Sequence, residues 1–145
     1  MNVPWYLTAL AAALVWGIHY PLVDFALKRV SIFSVLLLSV LPILLLMPIF
    51  LRDLARDLDA VRALPGAEQG MIAAIGLTSL LGAVLLYLSI AGKNATLASV
   101  IEITYPVFVV VFAYLIFRQV HLNASVVTGG LMVIAGAGLI IYNNQ

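Results

Sequence analysis

The sequence predicts an all-α membrane protein with five transmembrane helices. Three observations predict it. Of 145 residues, 65% are hydrophobic and only 9% charged, against about half apolar and a quarter charged in water-soluble domains. The mean hydropathy is +1.19. The apolar residues fall in blocks close to the ~20 residues that a helix needs to cross a bilayer. Runs such as Val35 to Leu38 and Val109 to Phe112 are continuous. They lack the alternation of a transmembrane β-strand, so the backbone must satisfy its own hydrogen bonds inside helices.

Five blocks fit that length. The first runs from about Val3 to Val23, the second from Ile32 to Leu51 and the third from Met71 to Ala91. The fourth runs from Ala95 to Phe117 and the fifth from Ala124 to Tyr142. The first block is preceded by no Lys or Arg and is long enough to span. It is therefore read as a retained helix and not as a cleaved signal. Lys28, Arg29 and Ser31 join spans one and two; Gly92, Lys93 and Asn94 join three and four; residues 118–123 join four and five. The second connection, Arg52 to Gln69, is longer and holds over half of the charge. Leu51, Leu54, Leu58 and Val61 recur there at helical spacing among Arg52, Asp53, Arg56, Asp57 and Asp59. That pattern predicts an amphipathic helix in the membrane interface, between Leu51 and Leu64 and ended by Pro65-Gly66. Asn94-Ala95-Thr96 and Asn123-Ala124-Ser125 match the N-glycosylation pattern, but each abuts a helix start and is read as a chance match. Length and pattern give a single domain over residues 1–145.

Composition also excludes functions. Seven Lys and Arg stand against six Asp and Glu, which leaves no basic patch for nucleic acid. The absence of Cys removes thiol catalysis, thiolate metal sites and disulfides. No nucleophile elbow, Walker loop or HExxH is present. The two histidines are His19 and, in a connection, His121. Pairing His19 with Glu102 on a metal is supported by no spacing rule. The chain reads as no enzyme, with no cofactor and no metal.

Candidate function lies in the residues that are costly in a bilayer. A carboxylate at the centre of a membrane helix costs about 2.5–3.5 kcal/mol on the insertion scale, and such groups mark cavities, partners and ion pathways. Glu102 is the one acid well inside a block, four residues before Pro106. Pro106 has no N–H to give to the Glu102 carbonyl, so the helix is expected to hinge there. Ala95, Ala98, Ser99, Glu102, Tyr105 and Val109 share a small, polar face. Apolar surroundings disfavour the charged form of a carboxylate, which makes Glu102 a candidate proton or cation site. A Glu hydrogen-bonded within the bundle is the structural alternative. Near the end of span one stand Trp16, Gly17, His19, Tyr20, Pro21 and Asp24. Tyr20 and Asp24 are assigned to the interfacial belt. For Trp16 and His19, one turn deeper, belt and binding site both stay open. Span three contributes Thr78, Ser79, Gly82, Tyr87 and Ser89; Gly129 and Gly136 of span five suit close helix packing.

With these residues in view, the chain resembles a known family. Trp16-Gly17-Ile18-His19-Tyr20-Pro21 looks like the opening Trp-Gly element of the drug/metabolite transporter superfamily, EamA-type domain. Ala95 to Phe108 is similar to its fourth helix, and Gly129 to Gly136 to its fifth. One departure is clear: the family often carries Gly-Glu-Arg after helix four, where this chain has Phe117-Arg118-Gln119. The resemblance implies a single five-helix repeat of a transporter whose larger relatives fuse two repeats of opposite topology, with helices one, three and four lining the cavity. It implies a secondary transporter protomer moving a small polar or cationic organic solute by alternating access, coupled to a proton or other ion. Trp16, His19, Tyr87, Ser99 and Tyr105 would then contact substrate. Glu102 would be the coupling site and Pro106 the hinge. The expected setting is the inner (plasma) membrane, multi-pass, with the lipid bilayer and a small-molecule substrate as partners. A lipid-carrier flippase and a non-transporting accessory subunit are the alternatives.

Charge counting adds an expectation about assembly. Lys and Arg near the span ends set orientation. Arg52, Arg56, Arg62 and Arg118 fall on the N-terminal side, and Lys28, Arg29 and Lys93 on the other. Four against three is almost no bias. With five spans the termini lie on opposite sides, and one repeat can imitate an inverted pair only with an oppositely inserted copy. An antiparallel homodimer is expected.

Overall fold

A computed structural model describes residues 4–120 and 123–144. His121 lies outside the described residues. The described chain is α-helical without strands: α1 (Trp5–Leu27), α2 (Ile32–Leu46), a 3-10 turn (Met47–Phe50), α3 (Leu51–Arg62), α4 (Gly66–Gly92), α5 (Ala95–Glu102), α6 (Tyr105–Phe117) and α7 (Ala124–Asn143). Among the described residues, five helical runs are long and apolar enough to cross a membrane: Trp5–Leu27, Ile32–Arg62, Gly66–Gly92, Ala95–Phe117 and Ala124–Asn143.

Burial follows membrane logic. Side chains such as Ile43, Leu45 and Leu139 are 65–71% exposed in the isolated chain. In water that much contiguous apolar surface would drive association; lipid is the solvent that suits it. The buried positions are few and mostly small or branched, Val23, Val35, Ala95, Ala98 and Ala137 among them.

The chain falls into two compact units, Met1–Leu22 with Gly92–Gln145, and Val23–Ala91. In the second unit, Ser31 caps α2 by accepting from the Ser34 amide. The Ser39 hydroxyl donates to the Val35 carbonyl at 2.9 Å. Its one proton is thereby used, so the Tyr87 phenol donates to Ser39 across 2.8 Å, tying α4 to α2. Past α1, the Arg29 guanidinium lies 3.5 Å from the Phe25 ring centroid and donates to the Phe25 carbonyl. Lys28 pairs with Asp24 at 3.2 Å. The expected amphipathic helix is present as α3, with Leu51, Leu54 and Leu58 half exposed. Its ion pairs, Arg56 with Asp53 and Asp57, and Arg62 with Asp59, are open to solvent, where such pairs contribute little.

Two boundaries differ from the sequence reading. No loop separates the second span from α3. Residues 44–51 hold no Gly or Asn to stop a helix, and Pro48 sits in the first turn of the 3-10 segment, where its missing N–H costs nothing. The third span begins at Gly66, five residues earlier than Met71. Pro65 supplies the first acceptor, taking the Glu68 and Gln69 amides. The Gln69 side chain donates to the Arg62 and Leu64 carbonyls, satisfying the end of α3.

In the first unit α5 packs on α7. Gly130 faces Val107 of α6, where an added Cβ would make ordinary van der Waals contact with Cγ2 at 3.5 Å. Asn94 and Asn123 are both N-caps, each accepting an amide at 2.9 Å, from Leu97 and Val126. The side chains of both sequons are thus engaged at helix starts. Lys93 Nζ donates to the Asn144 carbonyl at 3.0 Å, placing a cation at the C-terminal end of α7. Arg118 closes α6 at φ 55°, a left-handed cap that glycine more often fills, with Arg118 and Gln119 amides on the Tyr114 and Ala113 carbonyls. Asn94→Ala is expected to lower stability by about 1 kcal/mol through the lost cap, read as an earlier unfolding midpoint in micelles.

Candidate functional site

Most of the polar contacts described in the first unit are local in origin; the Tyr20–Glu102 bond, like that of Lys93 with Asn144, joins distant segments. On α1, Trp16 and Tyr20 are four residues apart and so share a face. Their ring centroids lie 5.5 Å apart, and the His19 ring stands edge-on to Trp16 at 5.1 Å. On α5 the helical spacing brings Ser99 and Glu102 to one side, one turn beyond buried Ala95 and Ala98. The link between these elements is the Tyr20 hydroxyl, which donates to Glu102 Oε2 at 3.0 Å across 82 residues of sequence. That length is at the long end of the O–H···O range.

Glu102, His19 and Tyr20 are half-buried, while Trp16 keeps 52% of its surface exposed. Among the described residues no Lys or Arg pairs with Glu102; the ion pairs formed all lie near α3 or past α1. A carboxylate accepts at two oxygens, so one phenol does not saturate it. The arrangement is an acceptor whose phenol partner lies beside an open indole. Its chemistry fits a proton, or a cation that donates to the carboxylate and rests on an indole face. Among the described residues no group of three His, Asp or Glu is placed to hold a metal ion.

The helix is interrupted beside Glu102. α5 ends at Glu102 and α6 begins at Tyr105. Between them the Thr104 amide turns back to the Ile101 carbonyl, a tightened i to i+3 bond. Pro106 lies in the first turn of α6, where its missing N–H is tolerated. The single face expected along this span divides at the break. Ala95 and Ala98 are buried and Ser99 and Glu102 half-buried, but Tyr105 and Val109 are each 56% exposed. Tyr105 heads a shallow apolar strip with Phe108, Phe112 and Ile116 on α6. The Ser99 hydroxyl donates to the Thr96 carbonyl at 3.0 Å. Tyr87 belongs to the other unit, where it is buried and bonded to Ser39.

Two residues escaped the sequence reading. Tyr20, assigned to the interfacial belt, is instead the partner of Glu102. Its spacing from Trp16 was the available signal. Ser39 carried none, being one hydroxyl in a run of Leu and Val.

Comparison with known families gives the lineage. The family model described as "EamA-like transporter family" matches residues 3–142. The chain belongs to the EamA-like transporter family. It is thus a multi-pass, all-α membrane protein of transporter type, as the Trp16-Gly17 opening and the five spans imply. No curated protein and no solved structure matches it significantly.

Proposed function

We propose that this EamA-family chain is the protomer of a secondary transporter for a small organic cation, coupled to a proton at Glu102 and working by alternating access. The observation that carries this reading is the half-buried Glu102, held by Tyr20 beside exposed Trp16, with no Lys or Arg paired to it among the described residues. An intramembrane acid without an internal counter-charge is poised to exchange one cation for another. The helix break at residues 103–104 supplies a place for the span to flex, as broken helices do in transporters. His19 adds a polar contact, and Ser99 and Tyr105 extend the surface offered to solute.

The working form in this reading is an antiparallel homodimer in the inner (plasma) membrane, because the near-equal charge bias permits both orientations. The direct test uses purified protein in proteoliposomes under an imposed proton gradient, challenged with amines and quaternary ammonium ions. Solute-dependent proton flux is the expected result. Absence of both flux and ligand-induced thermal stabilisation across the cation set would reject it in favour of an accessory subunit.

A further inference from the structure

The bond between Tyr20 and Glu102 joins two elements that meet nowhere near each other in sequence, and it ends on the last residue before a helix break. We propose that Tyr20 is a positioning residue that latches α1 to α5 through ionised Glu102, and that protonation of Glu102 releases the latch. The inference rests on the reading of Glu102 as the coupling site and names the residue through which its charge acts.

The chemistry is a change in acceptor strength. A phenol bonded to a carboxylate makes a charge-assisted bond roughly twice as strong as a neutral one. When a proton from solution adds to the carboxylate, Tyr20 keeps its own proton and faces a neutral acid. At 3.0 Å the bond is already long, so the weakened form competes poorly with any other donor. A cation seated on Glu102 acts the same way, drawing carboxylate charge from the phenol. The response is expected at the C-terminal end of α5, where residues 103–104 interrupt the helix before α6.

The other titratable groups around Glu102 in this unit are few. From α1 they are Tyr6, His19 and Tyr20; α5 carries no other; α6 offers Tyr105 and Tyr114; α7 has only Tyr142, 80% exposed near its C-terminal end; the cations Lys93 and Arg118 stand in the connections. His19 stands edge-on to Trp16, so the test must separate it from Glu102.

The protein provides its own reporter. It has two tryptophans, and Trp16 lies 5.5 Å from the Tyr20 ring. In a Trp5→Phe background, solute-free protein in nanodiscs is titrated from alkaline to acid pH while Trp16 emission and its acrylamide quenching are followed. The expected result is a step in both signals on acidification, retained in His19→Gln and lost in Tyr20→Phe and in Glu102→Gln. The last two read the bond from its two ends, so one suffices if the other misfolds; circular dichroism checks helix content. A step that survives in either variant, or vanishes in His19→Gln, overturns the latch. So does a flat titration of the parent. Because no solute is present, that failure is separate from failed transport, which the proteoliposome flux decides.

Discussion

Glu102→Gln is expected to insert and fold normally, yet to bind organic cations roughly tenfold to a hundredfold more weakly, since hydrogen bonds to a charged group contribute about 1.5–3 kcal/mol. Folding survives because the Gln carbonyl still accepts from Tyr20. Binding fails because the amide carries no charge and cannot take up a proton. The same substitution should flatten the dependence of uptake on pH, since the exchangeable proton is gone. Trp16→Ala is the informative contrast. It removes an exposed indole beside Tyr20, the partner of the carboxylate, and should weaken binding while leaving the shape of the pH profile intact. Equilibrium binding and proteoliposome flux across pH measure both. A Gln variant that transports with the parent profile would show Glu102 to be structural.

Asn143→Lys with Asn144→Lys is expected to convert mixed insertion into a single orientation. The parent carries four Arg on one side and three Lys or Arg on the other, so neither side dominates. Two added cations make the second side the richer, five against four. The change is structurally mild. The position is the C-terminal end of α7, where positive charge interacts favourably with the helix dipole. The Asn144 carbonyl that Lys93 holds is backbone and survives the substitution. C-terminal reporter fusions should give signal from both sides for the parent and from one side for the double variant. If the dimer is antiparallel, the one-sided protein should also lose transport. A parent reporting from one side alone would remove the antiparallel model.

The fold was legible because hydrophobicity in a bilayer is a nearly direct code. Ala95 and Phe117 bound the fourth span in both sequence and structure, and Leu51, Leu54 and Leu58 announced α3. Boundaries slipped where helix continuation is set by local backbone bonds. The Pro65 carbonyl and the Gln69 side chain start α4 before its apolar run begins. For the site, Glu102 stood out by cost and Pro106 by chemistry, but the pairing with Tyr20 is a tertiary fact. It was nonetheless within reach of arithmetic. Tyr20 lies seven residues before the end of α1 and Glu102 seven after the start of α5. Both positions are therefore about 10 Å deep from the same membrane face. The division of exposure at residues 103–104 had no such signature, because helical periodicity assumes an unbroken helix.

The discontinuity of the first unit carries a consequence for biosynthesis. Residues 23–91 form a contiguous compact unit that is complete when the ribosome has made them. The other unit combines the first twenty-two residues with the last fifty-four, so α1 is made first and finds its partners last. At translation rates of about 5–20 residues per second, Tyr20 waits roughly 4–16 s before Glu102 even exists. Throughout that interval the aromatic face of α1 must be held by lipid or by the insertion machinery. The end of α7, which brings the Asn144 carbonyl to Lys93, closes the unit from its far side. Truncations at the C-terminus should therefore injure the earliest helix, and slow codons between positions 23 and 91 should prolong its exposure without touching a residue of the site.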